Sequence, residues 1–272
     1  GFDKNIHMAK VVKEVGFGFM IGGSITAMPC DGNDHPWFYR LPKSKSLVVH
    51  AGLPNKGVKA VVGIIKRYPK KLFNNFPLSV SVAKTNSPGT VSDTDAINDY
   101  CASLKLLEAE QLGQLYEINI SCPNTFGGEP FITPERLDKL LTQIDQLKLT
   151  KPVFIKMPIN QPWDKFKLLL DVITKHNVQG VTIGNLLKDR SSAKLKDPLP
   201  GSIKGNLSGA PTRQVTTELI GKTYREYGSK LVIIGVGGIF SAQDAYAKIK
   251  AGASLVALVT GMIFEGPQLV GT

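Results

Sequence analysis

Chemistry concentrates in one run of the chain, Glu117-Ile118-Asn119-Ile120-Ser121-Cys122-Pro123-Asn124-Thr125. Asn119 alternates with Ile118 and Ile120, so its amide points away from an apolar face, and the run ends in a thiol beside Pro123 and Asn124. Asparagines both donate and accept hydrogen bonds, which suits a ligand with alternating carbonyl and N–H groups. A thiol at the mouth of a site acts as nucleophile or base once its pKa is tuned. Taken singly, the Cys is an inert small hydrophobe and each Asn a turn residue; their clustering favours chemistry. Lys156, inside the apolar run Phe154-Ile155-Lys156-Met157, adds a charge that must face either solvent or a site that uses it. Further on, Gly235-Val236-Gly237-Gly238-Ile239 runs towards Ser241, and Val256-Ala257-Leu258-Val259-Thr260-Gly261 follows one crossover later. Glycine turns ahead of helix N-termini let backbone N–H groups approach an anion closely, as in phosphate sites after the last strands of β/α barrels. The plainer reading of these glycines is tight turns alone.

Such groups need a scaffold, and the hydrophobic patterning supplies one. Short β-rich runs predict strands at 18–25, 78–83, 115–121, 153–157, 180–185, 231–237 and 255–260. Amphipathic stretches predict helices at 6–15, 56–67, 94–112, 134–147, 163–176, 212–227 and 242–251, with Ser92, Thr133 and Ser241 as N-caps. Alternation of this kind is α/β, with parallel strands joined by right-handed crossovers. At 272 residues, without internal repeats or linkers, the chain reads as a single TIM (β/α)8 barrel domain, 1–272. Two excursions break the rhythm. Segment 28–55 is punctuated by Pro and Gly around two short runs, 37–41 and 46–49, and reads as an inserted strand pair; segment 188–211 is the second. Insertions between a strand end and the next helix lie on a barrel's catalytic face.

Composition narrows the classes. Charged residues at 20% and hydrophobic ones at 42% exclude disordered, collagen-like and coiled-coil chains. The longest nearly apolar stretch, 253–264, is too short to span a bilayer. Three cysteines, Cys30, Cys101 and Cys122, are odd in number and far apart, which suits neither a disulfide framework nor a metal site, so no metal is expected. The balance of 33 basic against 22 acidic residues, +11, favours acidic partners.

Together, Gly1-Phe2-Asp3-Lys4-Asn5, the stretch 119–125, Leu207-Ser208-Gly209 and Ile234-Gly235-Val236-Gly237-Gly238-Ile239 resemble the dihydroorotate dehydrogenase family, with the motifs in family order. The resemblance implies an FMN enzyme that oxidises dihydroorotate to orotate in pyrimidine (UMP) biosynthesis. It implies that Cys122 removes the C5 proton while hydride leaves C6 for flavin N5, and that Lys156 stabilises charge on the reduced ring. Lys4, Asn119, Asn124 and Asn185 match substrate-binding positions. Lys4, Ser24, Ser81, Asn119, Lys156, Gly209, Gly237, Gly238, Val259 and Thr260 match positions around the flavin and its phosphate. Nearby donors are expected to depress the Cys122 thiol, giving useful thiolate at neutral pH. The loop 123–131 is a candidate lid. Gly1-Phe2-Asp3-Lys4 reads as the loop after a first barrel strand, so seven of eight core strands are expected here.

This sequence also departs from the pattern. Val49-His50-Ala51-Gly52-Leu53 stands where the family has an Asn ahead of its Gly, Ser81 where quinone-linked members have Asn, and Gly184 and Leu186 replace polar neighbours of Asn185. A Cys base resembles soluble or heteromeric members, whereas residues 1–4 and 207–211 resemble the quinone-linked branch. The acceptor is therefore quinone, fumarate or NAD, and the location cytoplasmic, or peripheral at the inner membrane if quinone-linked. A homodimer is compatible with the resemblance.

The rival readings are another FMN barrel, such as a dihydrouridine synthase acting on tRNA, or an inactive barrel that only binds. The basic sets Lys56, Lys59, Lys66, Arg67, Lys70, Lys71 and Lys188, Arg190, Lys194, Lys196, Lys204 lack interleaved aromatics apart from Tyr68, so nucleic acid is not expected.

Overall fold

The structure is a computed structural model and describes residues 3–271; Gly1 and Phe2, which carry part of the opening motif, lie outside them. The strands are β1 (Met20–Ile25), β2 (Phe38–Leu41), β3 (Ser46–Val49), β4 (Leu78–Val82), β5 (Leu115–Asn119), β6 (Val153–Met157), β7 (Gly180–Ile183), β8 (Asn206–Gly209), β9 (Val232–Val236) and β10 (Leu255–Ala257). The helices are α1 (Ala9–Glu14), α2 (Gly57–Lys66), α3 (Asp93–Ala109), α4 (Pro134–Asp145), α5 (Trp163–Ile173), α6 (Arg213–Tyr227), α7 (Ala242–Lys250) and α8 (Thr260–Glu265).

Seven strands form one parallel sheet in the order β1-β4-β5-β6-β7-β9-β10, which is the TIM-barrel arrangement of an α/β protein. Each crossover carries its helix to the outer face. Strand alternation then sorts the side chains: Leu78, Val80 and Val82 pack outward against helices, while Ser81, Glu117, Lys156 and Thr182 share an interior cavity. On the helical side, Val58, Val61, Val62 and Ile65 of α2 form a single buried stripe. Ser92 and Ser241 cap α3 and α7 by accepting the N–H groups of Asp95 and Asp244. Thr133 sits at the N-cap of α4 but its side chain accepts no helix N–H; Pro134 at the first helical position already removes one donor.

The two excursions make a second sheet. Strands β2 and β3 pair antiparallel, as the inserted strand pair predicts, but a third strand, β8, joins β3 from the other excursion. Leu41, Val48 and Leu207 form a small core beneath it, separate from the main one. Three local differences have plain causes. Helix α1 starts at Ala9 rather than at residue 6, because Ile6 has φ +60° and the Asp3 carboxylate accepts the N–H groups of Asn5 and Met8 in a turn. Strand β8 has a single large apolar residue, Leu207, and so leaves no alternating signal. Finally, β10 ends at Ala257, and residues 260–265 turn into α8 instead of continuing the strand.

Candidate active site at the carboxyl ends of the strands

A cavity of about 460 Å³ opens beyond the ends of β6, β7, β9 and β10. Lys156, Asn185, Gly209, Gly237, Gly238, Val259 and Thr260 line it, and the three-stranded sheet roofs it with Phe38, Arg40, Leu47, Val49 and Ser208. Phe38 and Arg40 reach it because they alternate along β2, while Tyr39 turns into the small core. The glycine turns are sterically obligatory. Gly237 (φ +106°) would set a Cβ 2.6 Å from Thr212 Oγ1, and Gly238 (φ +70°) one 2.4 Å from Arg213 Cβ. The Ser208 and Thr260 hydroxyls lie 2.9 Å apart at the same place.

Below it, a second cavity of about 120 Å³ in the sheet interior is lined by Ser24, Ser81, Glu117, Lys156 and Thr182. Lys156, Val236, Leu258 and Val259 border both cavities. A directed chain of hydrogen bonds runs through the lower one. Asn119 Nδ2 donates to Ser24 Oγ at 2.7 Å, the Ser24 and Ser81 hydroxyls lie 2.8 Å apart, and Ser81 Oγ donates to Glu117 Oε1 at 2.8 Å. A hydroxyl has one proton, so Ser81 spends its own on Glu117 and must accept from Ser24. The other carboxylate oxygen, Oε2, is buried without a partner, as is Thr182 Oγ1. Asn119 is thereby fixed from both ends, since its Oδ1 accepts the backbone N–H and hydroxyl of Ser121 and its carbonyl accepts Tyr100 Oη.

Ser121 links a second amide to the first. Asn185 Nδ2 donates to the Ser121 carbonyl and hydroxyl, while its Oδ1 accepts the Leu186 N–H. Gly184, absent a polar side chain, is demanded by packing: a Cβ there would sit 2.6 Å from the Val236 carbonyl oxygen. Asn124 donates to the Val49 carbonyl at 2.9 Å and accepts from Asn206 Nδ2 at 3.0 Å. His50 is held by its backbone N–H on the Trp37 carbonyl, with its Nδ1 3.5 Å from Asn33 Nδ2.

Cys122 stands at the head of the loop after β5, only partly open to solvent. Burial pushes its thiol above the ordinary value; the Asn124 N–H, Lys4 and Lys156 pull the other way without prevailing. That corrects the expected depression: the desolvation of the thiol outweighs the donors. Lys4 is held below the usual lysine range by burial, with Cys122 and Glu117 favouring its charge and Lys156 opposing it. The thiol, the two lysines and the carboxylate therefore sense one another.

Sequence reasoning missed Asn33 and Lys84, and gave Glu117, though it opens the chemistry-bearing run, no role of its own. Asn33 donates to the Asn124 carbonyl at 3.1 Å and accepts from Asn86 Nδ2 at 3.3 Å; its only signal is the turn-like Asp31-Gly32-Asn33-Asp34. Lys84 is buried behind Cys122 and donates to the Phe126 carbonyl at 2.7 Å. The loop is further held by the Phe126 N–H on Asn86 Oδ1 at 2.6 Å and by Lys188 on Glu129. Of the basic sets, Lys56, Lys59, Lys66, Arg67, Lys70 and Lys71 are all exposed, whereas Arg190 is spent on the Ile203 and Gly205 carbonyls. Among the described residues, no helix is long and apolar enough to cross a membrane and no cluster could hold a metal ion.

A parallel β/α sheet whose strand ends carry a thiol, lysines and fixed amides beside a glycine-walled cavity is the build of a flavin-dependent barrel oxidoreductase. The family profile described as dihydroorotate dehydrogenase matches residues 1–272, and the chain belongs to that family, whose enzymes are FMN-dependent flavoproteins. Similar proteins include "Dihydroorotate dehydrogenase (quinone)" from Cyanothece sp., 32% identical over 276 residues that cover 99% of this chain and 72% of that one. Its counterpart from Trichodesmium erythraeum is 32% identical over 277 residues with the same coverage. Among solved structures, DHODH from Eimeria tenella in complex with ferulenol superposes with a TM-score of 0.88 at 25% identity, covering 100% of this chain and 77% of that one.

Proposed function

We propose that this protein oxidises dihydroorotate to orotate, with Cys122 as the base and a quinone as the final electron acceptor. The observation that carries the reading is the meeting of Cys122, Lys4 and Lys156 with three immobilised amides at the strand ends. The residues fit FMN. A glycine-walled cavity of about 460 Å³ falls within the range of small-molecule sites, and the buried hydroxyl of Thr182 below it lacks a partner. Gly209, Gly237, Gly238, Val259 and Thr260 would hold the phosphate end, and Ser24, Ser81, Asn119, Lys4 and Lys156 the ring. When bound, FMN supplies the two-electron acceptor for the hydride that leaves C6 of dihydroorotate.

The chain's own residues do the rest. Cys122 takes the C5 proton, and the electron pair left behind forms the C5–C6 double bond as the C6 hydride departs. Asn119, Asn124 and Asn185 orient the pyrimidine through whatever donors and acceptors their internal bonds leave over. Lys156 places a cation where negative charge gathers. The names of the curated relatives support quinone, and so does the roof, where Phe38, Leu47 and Val49 give the cavity an apolar wall with Arg40 at its rim.

The test is anaerobic addition of dihydroorotate to the purified flavoprotein. Bleaching of the bound flavin is expected, followed by reoxidation on adding a quinone but not fumarate or NAD. Flavin that stays oxidised refutes the substrate assignment, and reoxidation by NAD or fumarate refutes the acceptor.

A further inference from the structure

Lys84 lies at the end of β4 with 3% of its surface exposed, and among the described residues it forms no ion pair. Its ammonium donates to a backbone carbonyl, that of Phe126, at 2.7 Å. A lysine kept this way is costly, because an apolar side chain of similar length would fill the space without desolvating a charge. Its surroundings show what the charge serves. Lys84 and Cys122 wall the same small cavity together with Tyr100, Thr125 and Gly128. Burial holds the Lys84 ammonium below the usual lysine range; Asp99 of α3, fixed by the Thr85 N–H and hydroxyl at 2.9 and 2.6 Å, opposes that shift from behind, as does Cys122.

We propose that Lys84 is a positioning residue for the base: its ammonium, held between the Phe126 carbonyl and the cavity shared with Cys122, couples closure of the loop to ionisation of the thiol. The inference rests on the reading of Cys122 as base. The groups facing Cys122 are Lys4 from the opening segment, Lys156 from β6, Lys84 from the segment after β4 and Tyr100 from α3; those facing Lys84 are Asp99, Cys122 and Cys30. Lys84 is the cation of this set that is also bonded to the loop. With residues 123–129 down on Lys84, the thiolate forms in a dry pocket beside an oriented positive charge. With the loop raised, the ammonium loses its carbonyl and takes up water, and Cys122 loses that support.

The ionisation of Cys122 is read without turnover, from the pH dependence of its alkylation by iodoacetamide in the intact flavoprotein, with the modified peptide resolved by mass spectrometry. Lys84→Met is expected to raise the thiol titration by about one pH unit, roughly a ten-fold loss of thiolate at a given pH. Amide exchange across residues 125–128 is expected to quicken in parallel, and Lys84→Arg to restore both. Lys84→Gln, which keeps a donor but no charge, serves if Lys84→Met does not fold: the titration should still rise while exchange stays slow. A titration in Lys84→Met or Lys84→Gln that overlays the parent protein overturns the proposal. Failure of the underlying reading looks different, because Cys122→Ser would then leave the pH profile of flavin reduction unchanged whatever Lys84 does to the thiol.

Discussion

The hydrogen-bonded chain from Asn119 to Glu117 makes an asymmetric prediction about stability. Glu117 is 1% exposed, and one of its oxygens is satisfied by Ser81 while the other has no partner. Ser81→Ala removes the donor and keeps the carboxylate, leaving both oxygens orphaned in the interior. An orphaned buried polar group costs about 1–3 kcal/mol, and more when charged, so Ser81→Ala should cost about 3 kcal/mol. Glu117→Val deletes the satisfied and the orphaned oxygen together and places a β-branched residue in a strand, so its net cost should stay within about 1 kcal/mol. The double variant should resemble Glu117→Val alone, giving a coupling energy of about 2–3 kcal/mol. Urea unfolding of the four proteins at fixed excess FMN measures this. The chain also fixes the Asn119 amide, so Ser81→Ala should weaken orotate binding several-fold in a titration of flavin absorbance. If Ser81→Ala proves no costlier than Glu117→Val, or if the two effects simply add, Glu117 is not a buried acceptor whose partner is Ser81.

Cys122→Ser should slow flavin reduction by dihydroorotate at pH 7 by about 100-fold or more and move its optimum upward, since a hydroxyl is harder to ionise than a thiol; stopped-flow absorbance across pH checks both. Because burial holds the parent thiol above its ordinary value, the parent rate should still be climbing on the alkaline side of neutrality. Gly238→Ala would force a Cβ to within 2.4 Å of Arg213 Cβ at a φ of +70°, so FMN affinity, read by flavin fluorescence, should fall about ten-fold or more. Lys248 is fully buried on the Thr216 and Thr217 hydroxyls and its pKa is lowered to about 8, mainly by burial and then by Arg213. The unfolded chain binds the extra proton between about pH 8 and the ordinary lysine value, so the parent gains stability as pH rises through that window. Lys248→Met should therefore raise the urea midpoint at pH 7 and flatten this rise, and an unchanged pH dependence would sink the argument.

Much of the scaffold was legible because a parallel sheet buried on both faces writes its strands as compact apolar runs. All seven core strands lie where those runs do; β6 matches its run in full and the other six are shorter by one to three residues. The chemistry-bearing run 117–125 was legible too, since Asn119 interrupts apolar neighbours with an amide. Lys84 was not: in Val82-Ala83-Lys84-Thr85 it reads as a strand-end lysine, and only the return of the 123–129 loop buries it. Glu117 was hidden for a related reason, its partner Ser81 standing 36 residues earlier on the neighbouring strand. Nor does the sequence reveal that the thiol is raised, because whether burial or nearby cations prevail depends on distances in three dimensions.

The roof has a consequence for the order in which the molecule assembles. Strand β3 meets β8 at the Ser46–Gly209 end of their register, where Ser46 Oγ donates to the carbonyl of Ser208, 162 residues away. Closing so long a loop brings its reward only after the intervening strands and helices have already drawn its ends together. The β2–β3 pair closes locally, so it is the β3–β8 seam that is expected to form after the seven-stranded sheet and to open before it, which amide exchange at 46–49 and 206–209 would read. The roof of the larger cavity thus rests on the contact of longest sequence separation in its own sheet.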